Sequence, residues 1–249
     1  MTKPPRKKAV PAPGPSRDAV DFALADRALT QVFAASPAHL TDIVSWHAHI
    51  PFVRALIDLL TPELVVELGV HKGDSLLAMA QALAELGQPG RVVGIDTWQG
   101  DVHAGQYAGD GILADLMQRA VIHGPRVTLL RCRFEDAVPG FADGSIDLLH
   151  IDGLHTYEAV RQDFDTWRPR LSRRGVVMFH DTAVKVGDFG VHRLWDEVSD
   201  LGVSFDFPYG NGLGVLALGP DVPVPVLRLL QLLAAPDGAL LRRFAAAGE

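Results

Sequence analysis

Four residues in the second half of the chain carry groups suited to proton or metal chemistry. Asp152 and His155 lie in the run His150-Ile151-Asp152-Gly153-Leu154-His155-Thr156-Tyr157-Glu158, and His180 and Asp181 lie in Phe179-His180-Asp181-Thr182. Each pair follows a short apolar run, residues 146–149 and 175–179, of the kind that forms a buried strand. Both pairs are therefore expected just beyond strand ends. Two carboxylates and two imidazoles gathered there are costly unless a cation or substrate compensates them. A lone His-Asp pair reads more simply as a loop cap beside a core histidine. The second carboxylate and second imidazole at the neighbouring strand end shift the reading towards a site. Within it, His155 is suited to removing a proton near neutrality, because an unperturbed imidazole has a pKa of ~6.5. Asp152 stands beside it as the second catalytic residue.

A different chemistry is written around residue 70. The run Glu67-Leu68-Gly69-Val70-His71-Lys72-Gly73-Asp74-Ser75 leads from a strand into a helix, and Gly69 and Gly73 let the backbone turn tightly near a ligand. Asp74 or Ser75 can cap that helix, whose first amides then face the ligand. The dinucleotide fingerprint G-x-G-x-x-G is absent. Glu67 suits a cationic ligand end better than a pyrophosphate. S-adenosylmethionine, with its ammonium and sulfonium and no phosphate, matches that requirement. Asp96, ending the next strand, can accept hydrogen bonds from ribose hydroxyls. Phe134 and Glu135, following the third strand, are expected near adenine. The loop at 97–111 holds Trp98, Asp101, His103 and Tyr107, and a loop of this length over a site serves as a lid. Its aromatic and polar groups suit a sugar; the alternative is a solvated loop with incidental polar residues.

The elements that must position these residues follow from periodicity. β-Branched or apolar runs at 64–66, 91–95, 127–130, 146–149 and 175–179 alternate with helical patterns at 75–86, 111–122 and 157–171. Such alternation implies parallel strands covered by helices on both faces, with ligands bound beyond the strand ends. A helix near 190–201 precedes runs at 203–207 and 213–218, a hairpin that closes one sheet edge. Earlier helical stripes lie at 18–33 and 52–60. The division expected is a basic, proline-rich disordered tail at 1–17, then one domain at 18–249, with a helical cap at 18–62, a core at 63–218 and a helical extension at 219–249.

Bulk properties narrow the function classes. A net charge of −7 over 249 residues argues against a nucleic-acid partner. No apolar run reaches the ~20 residues that span a bilayer. The single cysteine, Cys132, excludes an internal disulfide and fits a reduced, cytoplasmic protein. A homo-oligomer is left open.

The segments at 67–75 and 151–158, with Gly94-Ile95-Asp96-Thr97-Trp98 and His180-Asp181, resemble class I S-adenosylmethionine-dependent methyltransferases. More narrowly, they resemble a bacterial group related to macrolide and aminocoumarin sugar O-methyltransferases, often found with glycosyltransferases of polysaccharide assembly. The resemblance covers about 63–218. It implies a Rossmann-like α/β fold, a mostly parallel seven-stranded sheet with a C-terminal antiparallel hairpin. It also implies a divalent metal, magnesium or manganese, at Asp152 and the pair ending the fifth strand. In relatives that pair is Asp-Asn or acidic, whereas here it is His180-Asp181. Either His180 ligates a softer metal, or Asp152 and Asp181 hold magnesium alone, or no metal is used. The acceptor expected is a sugar hydroxyl of a glycan or glycosylated metabolite. A phenol or amine of a small metabolite is the alternative, as is a non-catalytic cofactor-binding subunit of a glycan-assembly complex.

Overall fold

The described residues form nine strands: β1 (Leu64–Leu68), β2 (Arg91–Asp96), β3 (Gly100–Asp101), β4 (Gly105–Gln106), β5 (Val127–Arg131), β6 (Ile146–Ile151), β7 (Leu171–His180), β8 (Val203–Phe207) and β9 (Leu213–Ala217). The computed structural model describes residues 36–103, 105–106 and 109–248. The tail at 1–17, the helical stripe at 18–33 and Tyr107 lie outside the described residues. Seven strands build one sheet in the order β5-β2-β1-β6-β7-β9-β8. The first five of these are mutually parallel, and β9 runs antiparallel to both β7 and β8. This is the Rossmann-like architecture, closed by the hairpin expected from the last two runs.

Strand alternation sorts side chains onto two faces. Val65, Val92, Leu148, Val176 and Met178 pack on one side with the helices Ile50–Leu60, Asp74–Glu85 and Val224–Leu233. Val66, Val93, Leu149, Val177 and Phe179 pack on the other with the helices Tyr157–Trp167 and Val191–Val198. Each such side chain contributes ~1.5–3 kcal/mol by leaving water. Between β1 and β6 the strand order reverses direction, and in open α/β sheets the crevice beyond that point is where ligands bind. Glu67 and His150 are partners in register there, one pair short of the strand ends.

Two local features depart from the periodic reading. The helix expected over 157–171 ends at Trp167, because Pro169 cannot donate to the next turn; the short 3-10 turn Arg168–Arg170 follows, and β7 starts at Leu171. The loop at 97–111 holds a small separate sheet, β3 against β4, and then gives way to the helix Gly109–Ala120. Its turn places a Gly100 Cβ, if one were present, 1.8 Å from the Gly105 carbonyl oxygen, so the pairing is possible only with glycine there. Among the described residues, no helix is long and apolar enough to cross a membrane.

Candidate active site

A cavity of about 470 Å³ opens beyond the C-terminal ends of β1, β2, β6 and β7. At one end is the glycine loop. Gly69 adopts φ +87°, and an added Cβ would lie 2.0 Å from the carbonyl oxygen of Asp152. The β1 loop therefore rests directly on the segment that carries the other half of the site. Asp96 braces the same loop: one carboxylate oxygen accepts from the amides of Val70 and His71, both at 2.9 Å, and the other accepts from Trp98 N–H at 2.7 Å. The carboxylate still borders the cavity, and with four lone-pair sites it retains acceptor capacity towards a hydroxyl. His71, Trp98 and Asp181 all hold positive φ (49°, 52° and 63°) despite being non-glycine residues. Backbone strain of this kind concentrates where the surrounding structure holds a site in shape.

At the other end, Asp152, His155, His180 and Asp181 converge. His155 Nε2 lies 2.8 Å from Asp181 Oδ2 and 3.6 Å from Asp152 Oδ1. His180 Nδ1 lies 3.3 Å from each of those same oxygens. Burial by itself would lower the His155 pKa, but hydrogen bonds and charge from Asp152 and Asp181 outweigh it and hold the ring up at about 9. The same balance raises His180 well above its ordinary value. Conversely, burial would raise Asp181, yet His155 and His180 hold it down at about 2. Asp152 is likewise kept well below the usual carboxylate range. A half-buried and a buried carboxylate thus face two imidazoles whose protonated forms they favour.

The structure brings Gly69, Asp96, Asp101, Phe134, Glu135, Asp152, His155, His180 and Asp181 to the walls of one cavity. Glu67, Gly73, Ser75 and Trp98 are set behind the wall. Glu67 is fully buried, accepts from the Ser75 hydroxyl, and lies 3.7 Å from His150 Nδ1; burial pushes its carboxyl pKa up. Gly73 makes room for Leu116, whose methyl would meet an added Cβ at 2.4 Å. Trp98 is fully enclosed, with its indole N–H donating to the His71 carbonyl. His103 is beside the site, hydrogen-bonded to Asp188 at 2.8 Å and stacked on Phe189, whose ring in turn stacks on His155 at 4.9 Å.

Other residues of the site were not singled out from the sequence. Ile43 and Ser45 line the cavity from the start of the 3-10 helix Val44–His49, which leads into the helix that caps the sheet, as does His71 from the glycine loop. Trp46 and His49, buried on that capping segment, enclose the histidines from behind: Trp46 Nε1 donates to His150 Nε2 at 3.3 Å, and the His49 ring meets that of His180 edge-on at 5.8 Å. Burial, and then the charge on His180, push His49 down to about 3. One signal was available for His150. It shares the strand parity of Leu148 and so points to the cap side with Glu67. Nothing local marks residues 43–49.

Residues 66–182 match a protein family described as a methyltransferase domain. Protein y4gI of Sinorhizobium fredii is 38% identical over 201 residues, which is 79% of this chain and 22% of that protein. The chain thus spans about a fifth of the curated relative it matches. A putative caffeoyl-CoA O-methyltransferase from Staphylococcus aureus is 12% identical, with 80% of this chain and 99% of that chain covered and a TM-score of 0.54. The O-methyltransferase TomG from Streptomyces achromogenes, involved in tomaymycin synthesis and crystallised with S-adenosylmethionine, is 17% identical, with 80% and 96% covered and a TM-score of 0.52. At these identities the likeness to the two structures is one of fold.

Proposed function

We propose that this chain, whose residues 66–182 match a methyltransferase domain, uses S-adenosylmethionine to methylate a hydroxyl group of a sugar. The observation that carries the reading is the single cavity joining the Gly69 loop and Asp96 to the Asp152–His155–Asp181 cluster. S-adenosylmethionine supplies a methyl group on a sulfonium, which an acceptor oxygen displaces in line while the S–C bond breaks. The protein's tasks are then to align the two reactants and to manage the proton lost by the hydroxyl. Phe134, beside Gly153, offers an apolar face for adenine, and Asp96 with Thr97 flanks the ribose position. The Asp96 and Asp101 carboxylates favour the cationic end of a ligand in that space.

Asp152, His155, His180 and Asp181 form the acceptor end, where a polar hydroxyl compensates groups that an apolar substrate would leave unpaired. The sequence resemblance to sugar O-methyltransferases supports a sugar as its bearer. The donor set also fits a divalent cation: Asp152, His155 and Asp181 each offer one ligand atom, all within 4.8 Å of one another. When bound there, such an ion would supply Lewis acidity, lowering the proton affinity of the acceptor hydroxyl.

The test is transfer of a labelled methyl group to panels of activated sugars and glycan oligomers, phenols and amines, beside calorimetric binding of S-adenosylmethionine. Label in a sugar hydroxyl is the expected result. Label confined to phenols or amines would move the acceptor class. Cofactor binding with no transfer to any panel would leave a non-catalytic subunit.

A further inference from the structure

We propose that Asp74 is a positioning residue for the cofactor: its carboxylate holds residues 39–47 as a strap against the glycine loop, and so governs how long bound S-adenosylmethionine remains in the cavity. The inference deepens the proposed function, since it rests on this cavity being the cofactor site.

The direction of the Asp74 side chain carries the argument. An acidic residue at the first position of a helix ordinarily serves that helix, by meeting its exposed amides or its dipole. Asp74 opens the helix Asp74–Glu85 and is 6% exposed, yet its carboxylate takes its hydrogen bonds from another part of the chain. Thr41 N–H donates to Oδ1 at 2.7 Å, and the Thr41 hydroxyl donates to Oδ2 at 2.5 Å. His47 Nε2 stands 3.3 Å from Oδ1. The Thr41 hydroxyl oxygen in turn accepts from Ile43 N–H at 3.1 Å. One carboxylate thus gathers both ends of the stretch 41–47 and fixes the turn between them.

That stretch is a wall of the cavity: Ile43 and Ser45 line it, while Val44 between them is exposed. Further ties lead to the same place. His39 Nε2 lies 3.4 Å from the Lys72 carbonyl oxygen, and Asp42 pairs with the Lys72 ammonium at the surface. Residues 72–74 follow directly on Gly69, Val70 and His71, which also line the cavity. Strap and glycine loop are therefore joined beside the end of the cavity assigned to the cofactor. The exposed Lys72–Asp42 pair contributes little to that joint, whereas the buried Asp74 makes charge-assisted bonds. A site that is closed only part of the time binds its ligand more weakly by the closed fraction. Loss of one charge-assisted bond lowers the ratio of closed to open by about tenfold or more.

Asp147 supplies an internal comparison. It is equally buried, at 6%, and its carboxylate accepts from Glu63 N–H at 2.8 Å and from the Ser172 hydroxyl at 2.6 Å. Those bonds lie at the N-terminal ends of the strands, away from the cavity.

The experiment follows dissociation of radiolabelled S-adenosylmethionine from the full chain, chased with excess S-adenosylhomocysteine, beside calorimetric affinity and thermal melting. Asp74→Ala should speed dissociation about tenfold or more, with a matching loss of affinity. Asp74→Asn, which keeps an oxygen for Thr41, should restore most of the difference. Thr41→Val, which leaves the helix untouched, should act in the same direction as Asp74→Ala. Asp147→Ala should lower the melting temperature and leave the dissociation rate unchanged. A parental rate in Asp74→Ala would overturn the proposal, and so would equal acceleration by Asp147→Ala, the mark of general loosening. If Asp74→Ala does not fold, an unchanged rate in Thr41→Val overturns it instead. A parent protein that binds no S-adenosylmethionine would strike the cofactor reading itself, and this inference with it.

Discussion

Single residues at this site serve two ends at once, because the loops that carry them rest on each other. Gly69 is the sharpest case. Gly69→Ala sets a Cβ 2.0 Å from the Asp152 carbonyl oxygen on a backbone at φ +87°. It is expected to destabilise the fold by ~1–3 kcal/mol and to weaken S-adenosylmethionine binding, checked by thermal melting and calorimetry. A variant that melts and binds like the parent would show that the loop does not need this contact. Asp96→Ala removes the acceptor for three backbone amides and leaves them to water or to nothing. With a charge-assisted bond worth ~1.5–3 kcal/mol, cofactor affinity should fall at least tenfold. Unchanged affinity would confine Asp96 to bracing the loop.

At the scale of elements, the helix Tyr157–Trp167 ties the site to the sheet. It opens immediately after the segment bearing Asp152 and His155, and the Thr156 hydroxyl oxygen accepts from the Ala159 amide at 3.3 Å as its cap. Thr156→Ala should cost ~1 kcal/mol and lower methyl transfer more than cofactor affinity; equal loss of both would indicate general unfolding. The same helix half-buries Asp163 beneath Phe134 and Gly153. Burial, and then the charge on Glu135, push its carboxyl up to about 7. The folded state therefore holds a proton that the unfolded chain releases near pH 4. Stability from this group is full below that pH and is lost as the pH rises through 7. Asp163→Asn should raise the melting temperature at pH 8 and leave it unchanged near pH 4. A gain that is equal at both pH values would show that the carboxyl titrates normally.

Over the whole molecule, the cap and the sheet close on a buried row of polar groups: Glu67, His150, His180 and His49. His49, held at about 3, is neutral in the folded state, whereas the unfolded chain gains a proton near pH 6.5. Its contribution is full above pH 6.5 and is lost as the pH falls towards 3. His49→Gln, which retains a donor for the Gly210 carbonyl, should flatten the acid side of the stability profile; an unchanged slope would place the acid sensitivity elsewhere. The linear pattern determined the sheet and the strand ends, because apolar runs buried on both faces and the turns between them are local features. It also determined that Asp96, Asp152, His155, His180 and Asp181 gather beyond those ends, since each directly follows or closes its strand. It could not determine the direction in which each side chain points. Glu67 follows Val65 and faces the cap-side core with it, and Trp98 folds back onto the His71 carbonyl. Nor could it supply residues 43–49, which reach the site across about a hundred positions, as Trp46 does to His150. Those choices depend on which surfaces bury one another, and only tertiary packing decides that: it directs His155 Nε2 between two carboxylates and sets His180 behind them.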